Sequence, residues 1–308
     1  MRGPTVGVLA GLLIMASGCG QIPSRAPVPS ELVTPPTATA SRAEPTRSSS
    51  IPASSVPPTA TSTPTPSPAT ASCSSLPGRL SLKGVEGRSF AFASLEDPDD
   101  ITVEGRVSGS QAWSTSKVLV AAAFLETTAD GDPDAVSASN RRLIKDALQH
   151  SDGDAVRSLR QQIPGSPGRA MTAVLRSVGD DKTVAPDSYE GTMAWSVREQ
   201  VRFTAALADG DVVSAATSAY LLETMRPIKA HRWGLGTVGA TAFKGGWLRQ
   251  GRVTRQLGLL DSYAVAIITD QGPVVRQTDG DAAHVRAMDD LAELLEARLA
   301  WERDCRRR

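Results

Sequence analysis

Between Gln21 and Thr70 the chain carries twelve of its 21 prolines, set among Ser, Thr and Ala with almost no large apolar side chain. A segment of this kind buries too little surface to offset its ordering entropy. Its prolines favour an extended, semi-stiff backbone. It reads as a spacer over 19–72, and it confines any packed domain to 73–308, long enough for one sizeable core. With no anchor in front of it, the same segment is a tail without a positional role.

The residues ahead of the spacer read as an export signal over 1–18. Arg2 supplies the positive end, and Val6 to Met15 is apolar but too short to span a bilayer permanently. The stretch closes on Ala16-Ser17-Gly18-Cys19, which resembles the lipobox of bacterial lipoproteins. That resemblance implies that Cys19 becomes a lipidated (palmitate-bearing) N-terminus, anchored to the outer side of the cell membrane. The alternative is an ordinary signal peptide cut near Ser17. On either reading the domain is exported to an oxidising compartment, where cysteines pair. Cys73 and Cys305, at the two ends of the domain, are therefore expected to form a disulfide rather than two exposed thiols.

Charge and composition exclude several partner classes. Lys plus Arg and Asp plus Glu number 33 each, so the net charge is zero. Neither nucleic acid nor another polyanion is implied. Aromatics are 4% of the chain, too few for base-stacking platforms. The three cysteines and three histidines show no metal-ligand spacing, so no metal and no cofactor is expected. The chain is expected to be monomeric.

Within 73–308, Arg88–Leu95 reads as a strand, Asp97–Asp100 as a turn and Ile101–Glu104 as the partner strand. Helical spacing follows at Ser139–His150, at Ala155–Ile163 and at Ala170–Val178. The span 180–195 is an irregular loop. Ser196-Val197-Arg198-Glu199 has the form of a capping box opening a helix to about Ala208, and Asp211–Met225 reads as another. Three strands follow, Thr241–Leu248, Val253–Leu260 and Tyr263–Thr269. A closing helix from Asp281 to about Trp301 bears an apolar stripe of Val285, Met288, Leu291, Leu294, Leu295 and Leu299. The fold class is α+β (α/β in the broad sense): an antiparallel sheet flanked by helices, from about 73–112 and 226–308, with a helical subdomain over about 113–225.

The chemistry-bearing stretch is Ser114-Thr115-Ser116-Lys117, followed by the apolar run Val118–Leu125. Three-residue spacing puts the serine and the lysine on one helical face. A buried lysine near other cations loses proton affinity and can serve as a base. Further on come Ser151-Asp152-Gly153 and Lys244-Gly245-Gly246-Trp247. There is no Gly-x-Ser-x-Gly elbow. His150, His231 and His284 are isolated in sequence, and His231 just before the third stretch is either cleft-lining or structural.

In this order, Ser-x-x-Lys, Ser-Asp-Gly and Lys-Gly-Gly resemble the three motifs of the penicillin-recognising serine enzymes, class A β-lactamases and low-molecular-weight penicillin-binding proteins. The resemblance covers Arg88 to Leu299 and implies a β-lactamase/transpeptidase-like fold. It implies Ser114 as nucleophile, Lys117 as its base, Ser151 as proton relay and Lys244 as the charged holder of that network. Gly246 and Trp247 would line the substrate, with the N–H groups of Ser114 and Trp247 as oxyanion hole. Arg255 is expected either to bind a substrate carboxylate or to be an exposed strand arginine. Glu190 is either the deacylating base of the 180–195 loop or a solvated loop residue. The departures are Gly153 for asparagine, Gly245 for threonine and Ala194 for the loop's asparagine. They point away from efficient β-lactam hydrolysis. The expected activity is serine acyl transfer on a peptidoglycan-like, β-lactam or other amide or ester ligand. The Lys-x-Gly-Trp pattern also resembles LppW-type lipoproteins of high-GC Gram-positive bacteria. The alternative it supports is a non-catalytic envelope lipoprotein that keeps the fold for binding.

Overall fold

The computed structural model describes residues 73, 75–276 and 282–307. The signal segment, Cys19 and the spacer lie outside the described residues. The five strands are β1 (Arg88–Ser94), β2 (Asp97–Arg106), β3 (Ala242–Trp247), β4 (Thr254–Leu260) and β5 (Tyr263–Thr269). They form one antiparallel sheet in the order β2-β1-β5-β4-β3. The sheet thus joins an N-terminal hairpin to a C-terminal meander, with β2 and β3 at its edges.

Successive side chains of a strand point to opposite faces, and both faces of this sheet are buried. Phe90, Phe92, Tyr263, Val265 and Ile267 pack on one side against Met288, Leu291, Leu295 and Leu299. Those four belong to α7 (Ala282–Arg306). Ala91, Ala93, Ala264, Ala266 and Ile268 face the other side, where α5 (Val197–Asp209) lies across the sheet. The alanines on that side let α5 approach closely. Arg298 on α7 pairs with Glu104 on β2 and lies 5.4 Å from the centre of the Phe92 ring.

The helical part surrounds α1 (Ser116–Ala129), in which Val118 to Leu125 are all buried. A helix apolar on every side has to be enclosed. The enclosure here is α2 (Ala138–Gln149), α3 (Gly153–Gln162), α4 (Pro167–Ser177) and α6 (Ala215–Thr224). Among the described residues no helix is long and apolar enough to cross a membrane.

Three local readings change. Asp97–Asp100 belongs to β2, and the turn is Leu95–Glu96, because Ser94 pairs with Asp97. Pro98 is accommodated there because β2 is an edge strand, where a missing N–H costs little. The capping box at Ser196 is half made. Its hydroxyl accepts from the Glu199 N–H at 3.2 Å, but the Glu199 carboxylate turns to Arg202 at 3.0 Å. The α6 helix starts at Ala215, four residues later than its apolar pattern suggested, because Val213 takes a left-handed conformation (φ 66°) and Ser214 caps the helix.

Cys73 and Cys305 are joined by a disulfide, with Cα atoms 5.5 Å apart across 232 residues of sequence. Closing so long a loop restricts the unfolded chain strongly. Cys305→Ser should therefore cost roughly 2–5 kcal/mol. For a domain of this size that is a fall in Tm of roughly 5–15 °C. Differential scanning calorimetry of the variant, beside wild type with and without reductant, checks this. An unchanged Tm would show that the bridge does not tie the domain's ends.

Candidate active site

Ser114 lies in a single 3-10 turn, Trp113–Thr115, immediately before α1. Side chains staple that turn. The Thr115 hydroxyl donates to the Ala112 carbonyl at 2.5 Å and accepts from the buried amide of Gln200 on α5 at 2.8 Å. The Ser116 hydroxyl donates to the Trp113 carbonyl at 2.6 Å. Trp113 itself has φ 45°, an unfavourable conformation for a bulky residue. Ser114 is half-buried at the floor of a cleft of about 260 Å³ that also exposes Lys117, Gly153, Tyr189, Glu190 and Trp247.

Ser151 occupies the junction between α2 and α3, also left-handed, with φ 58°. This conformation presents its two polar ends in different directions. Its carbonyl accepts from the Lys117 amine, and its hydroxyl accepts from the Lys244 amine at 2.9 Å. Lys244 also donates to the Gly245 carbonyl at 2.8 Å. Lys117 thus turns to Ser151 and not to the Ser114 hydroxyl. The next residue, Asp152, caps α3 by accepting from the N–H groups of Asp154 and Ala155, each at 2.8 Å. The Ala155 N–H, with that of Asp154 and the Lys117 charge behind it, holds the Asp152 carboxyl below the usual range.

The two lysines are far from their ordinary state. Burial pulls Lys117 down to about 8, against the opposing charges of Glu190 and Asp152. Lys244 is pushed well below the usual amine range, by complete burial first and by the Lys117 charge second. The expectation that Lys244 is the fixed positive charge of the site therefore changes: burial favours its neutral amine. Two close amines sharing one pocket hold a first proton far better than a second.

Lys244 sits on the edge strand β3, whose free edge packs on the Ser114 turn. A Cβ added at Gly246 would lie 2.9 Å from the Ala112 carbonyl and 3.0 Å from the Ser114 and Thr115 nitrogens. Only glycine permits so close a contact. The Phe243 N–H points off the sheet to the Met225 carbonyl. N–H directions alternate along an antiparallel strand, so the Trp247 N–H shares that outward direction. The two departures in the motifs differ physically. A Cβ at Gly153 meets nothing within 4 Å, whereas one at Gly245 would lie 3.2 Å from the Trp247 ring and 3.4 Å from the Trp233 ring. The room beside Gly245 is taken by an aromatic cluster: Trp247 meets Trp233 at 5.3 Å and His231 at 5.2 Å, and Trp233 meets His284 at 5.6 Å. His231 is thus a ring of this cluster.

Glu190 is not a solvated loop residue. It is buried, lines the cleft and forms an ion pair with Arg160 on α3. Its loop is laced to the strand of chain before Ser114. The Ala112 N–H donates to Met193 at 2.9 Å and the Trp195 N–H donates to Ser110 at 3.0 Å. Arg160 was not singled out from the sequence. The signal was present, since Gly153, Arg157 and Arg160 recur at helical spacing on the face of α3 that lines the cleft.

Arg255 departs from both sequence expectations. It is fully buried and donates to the carbonyls of Ser110, Gln111 and Trp195 at 2.8, 3.0 and 2.7 Å. Desolvation lowers its pKa to about 9. It is an internal strut that ties β4 to both chain segments bordering the nucleophile's turn, and it has no face for a substrate.

No family model matches the chain, and no curated protein matches it. Solved structures do. A variant of the reconstructed last common ancestor of Gram-negative class A β-lactamases aligns with a TM-score of 0.54 at 18% identity, over 69% of this chain and 92% of that one. The TLA-3 extended-spectrum β-lactamase gives 0.53 at 16%, over 69% and 93%. The structure titled PBP-A gives 0.52 at 17%, over 70% and 90%. The fold is that of the serine β-lactamases and penicillin-binding proteins. At such identities the likeness is one of fold, and the site's chemistry rests on the geometry above.

Arg255→Ala should leave the Gln111 and Trp195 carbonyls without a donor, at about 1–3 kcal/mol each, while the Ser110 carbonyl keeps the Trp195 N–H. Arg255→Lys should recover little, because an ammonium lacks the planar fork. Urea unfolding of both variants checks this. A lysine variant as stable as wild type would refute the strut.

Proposed function

We propose that this is a lipid-anchored, extracytoplasmic serine acyl-transfer enzyme of the penicillin-recognising type, weak as a β-lactamase. The observation that supports it best is Ser151 held between two depressed lysines beside the Ser114 turn. A residue in a strained conformation, bridged by two costly buried amines, is the kind of arrangement that function maintains against stability. Of the seven non-glycine residues with positive φ among those described, Trp113 and Tyr189 line this one cleft and Ser151 is bonded to Lys117 in its wall.

The neutral Lys117 amine takes the Ser114 proton while Ser114 Oγ bonds to the substrate carbonyl carbon. The N–H groups of Ser114 and Trp247 receive the developing oxyanion. Ser151 passes a proton to the leaving nitrogen or oxygen as its bond to the acyl carbon breaks. The proton that Lys117 took from Ser114 passes through the neutral Lys244 amine to re-protonate Ser151, so both lysines return to their starting state. Water or another nucleophile then releases the acyl group and returns the proton to Ser114. Glu190, spent on Arg160, is a poor general base for that second step, so the acyl-enzyme is long-lived. In the cell the spacer would hold this domain off the membrane, with Cys19 bearing the lipid.

A second reading, a non-catalytic binding lipoprotein, is supported by the direction of the Lys117 amine, which is given to Ser151 and not to Ser114. Intact-protein mass after incubation with a fluorophosphonate probe and with penicillin, beside Ser114→Ala, separates the two. An adduct on wild type alone supports catalysis, and none with either reagent supports the binding role. The acylation rate should rise with pH through about 8, since the deprotonated Lys117 is the active form. A rate flat between pH 6 and 9 would remove Lys117 from the role of base. Glu190→Gln should change the decay of the adduct by less than about tenfold, whereas losing a working general base costs about 10²–10⁴.

A further inference from the structure

The cleft has an apolar mouth, and its β3 side offers no free cation. Among the described residues four large hydrophobic side chains are exposed, and two of them, Tyr189 (79%) and Leu248 (47%), stand on the rim of this one cleft. Half-buried Trp113 and Trp247 continue the apolar surface inward. Single exposed hydrophobics need no explanation, but two beside a nucleophile, one of them left-handed at φ 55°, form a wall.

The charges of the site are accounted for one by one. Lys117 and Lys244 are buried and bonded to Ser151. Arg160 is paired with Glu190, and Arg157 with Asp154 at 2.8 Å. Arg255 gives its forked N–H groups to three carbonyls. Beside β3, where Gly245 offers no hydroxyl, the Trp233 and Trp247 rings fill the space. A ligand carboxylate placed there would lose its hydration and gain no partner. The cleft volume, about 260 Å³, is below the roughly 300–1,000 Å³ of drug-sized sites and suits one chain.

We propose that the cleft takes a neutral, single-chain acyl ester or amide, its apolar chain lying between Tyr189 and Leu248, in preference to carboxylate-bearing ligands such as penicillins and peptides ending in a free carboxylate. The proposal rests on the acyl-transfer reading for its chemistry but not for its recognition. With an ester, the Ser114 oxygen–acyl carbon bond forms as the ester C–O bond breaks and the alcohol leaves with the serine proton. Water then yields the acid and restores Ser114.

Two measurements test it on the full chain. In Ser114→Ala, which cannot be acylated, tryptophan fluorescence is titrated with octanamide and with octanoate, matched in size and different in charge. Octanamide should bind at least tenfold more tightly, and Leu248→Ser or Tyr189→Asn (a residue that tolerates the left-handed conformation) should weaken it about fourfold or more. In wild type, kcat/KM for 4-nitrophenyl octanoate should exceed that for the butyrate at least tenfold, since each buried methylene is worth about fourfold. It should also exceed that for penicillin G. Equal binding of the two octanoyl ligands, binding of neither, or binding that ignores both rim variants overturns the proposal. Ester turnover with no chain-length dependence also overturns it while leaving the acyl-transfer reading intact. Selective octanamide binding with no acylation of Ser114 by any ester overturns the acyl-transfer reading and keeps the inferred ligand class. Thermal unfolding of the rim variants, expected to match wild type, shows that any loss of binding is local.

Discussion

An eight-residue run of buried apolar side chains, Val118 to Leu125, gives α1 no face for water. Burial of apolar area is the dominant favourable term in folding, and a helix of this kind is stable only inside a container. The helices α2, α3, α4 and α6 supply it. The consequence for chemistry is positional. The 3-10 turn ahead of α1 is the place where the N-terminal end of this rod meets the cleft, between β3 and the 180–195 loop. The hydrogen bonds of Thr115, Ser116 and Gln200 then fix Ser114 there.

The same burial sets the electrostatics. Lys117 and Lys244 are drawn into the protein by their positions, one on α1 and one on the middle of β3. The low dielectric around them disfavours both charges. Ser151 compensates by accepting from each. This makes the triangle of Lys117, Ser151 and Lys244 both the most costly feature of the site and the one best suited to moving a proton. Carboxylates nearby limit the cost. Glu190 and Asp152 keep Lys117 from falling further, and Arg160 in turn prevents Glu190 from standing buried and alone.

The sheet side of the cleft departs most from a carboxylate receptor. With glycine at 245, the Trp233 and Trp247 rings close over the strand, His231 and His284 meet them edge-on, and the Gln256 side chain fixes the Trp233–Leu235 backbone from below. Arg255, on the neighbouring strand, became a structural strut for the carbonyls of Ser110, Gln111 and Trp195. An arginine fully withdrawn in this way stabilises the segments around the nucleophile and contributes nothing to the ligand.

Much of this was legible in the chain. Period-two patterns marked the strands, period-3.6 patterns the helices, and the family resemblance carried by three short motifs in order implied the fold and the grouping of Ser114, Lys117, Ser151 and Lys244. Those features are local, because they depend on side-chain spacing along one element. What the sequence could not determine is where an arginine or a glutamate finds its partner across the fold. Arg255 read as a surface or ligand residue and is buried. Glu190 read as loop and is an ion-paired wall of the cleft. Arg160 drew no attention at all. The gap left at Gly245 gave no sign that two tryptophans fill it. The arginine and glutamate outcomes are set by contacts between residues 30 to 145 positions apart, and burial of a charge is a property of the assembled tertiary structure, which no stretch of sequence carries on its own.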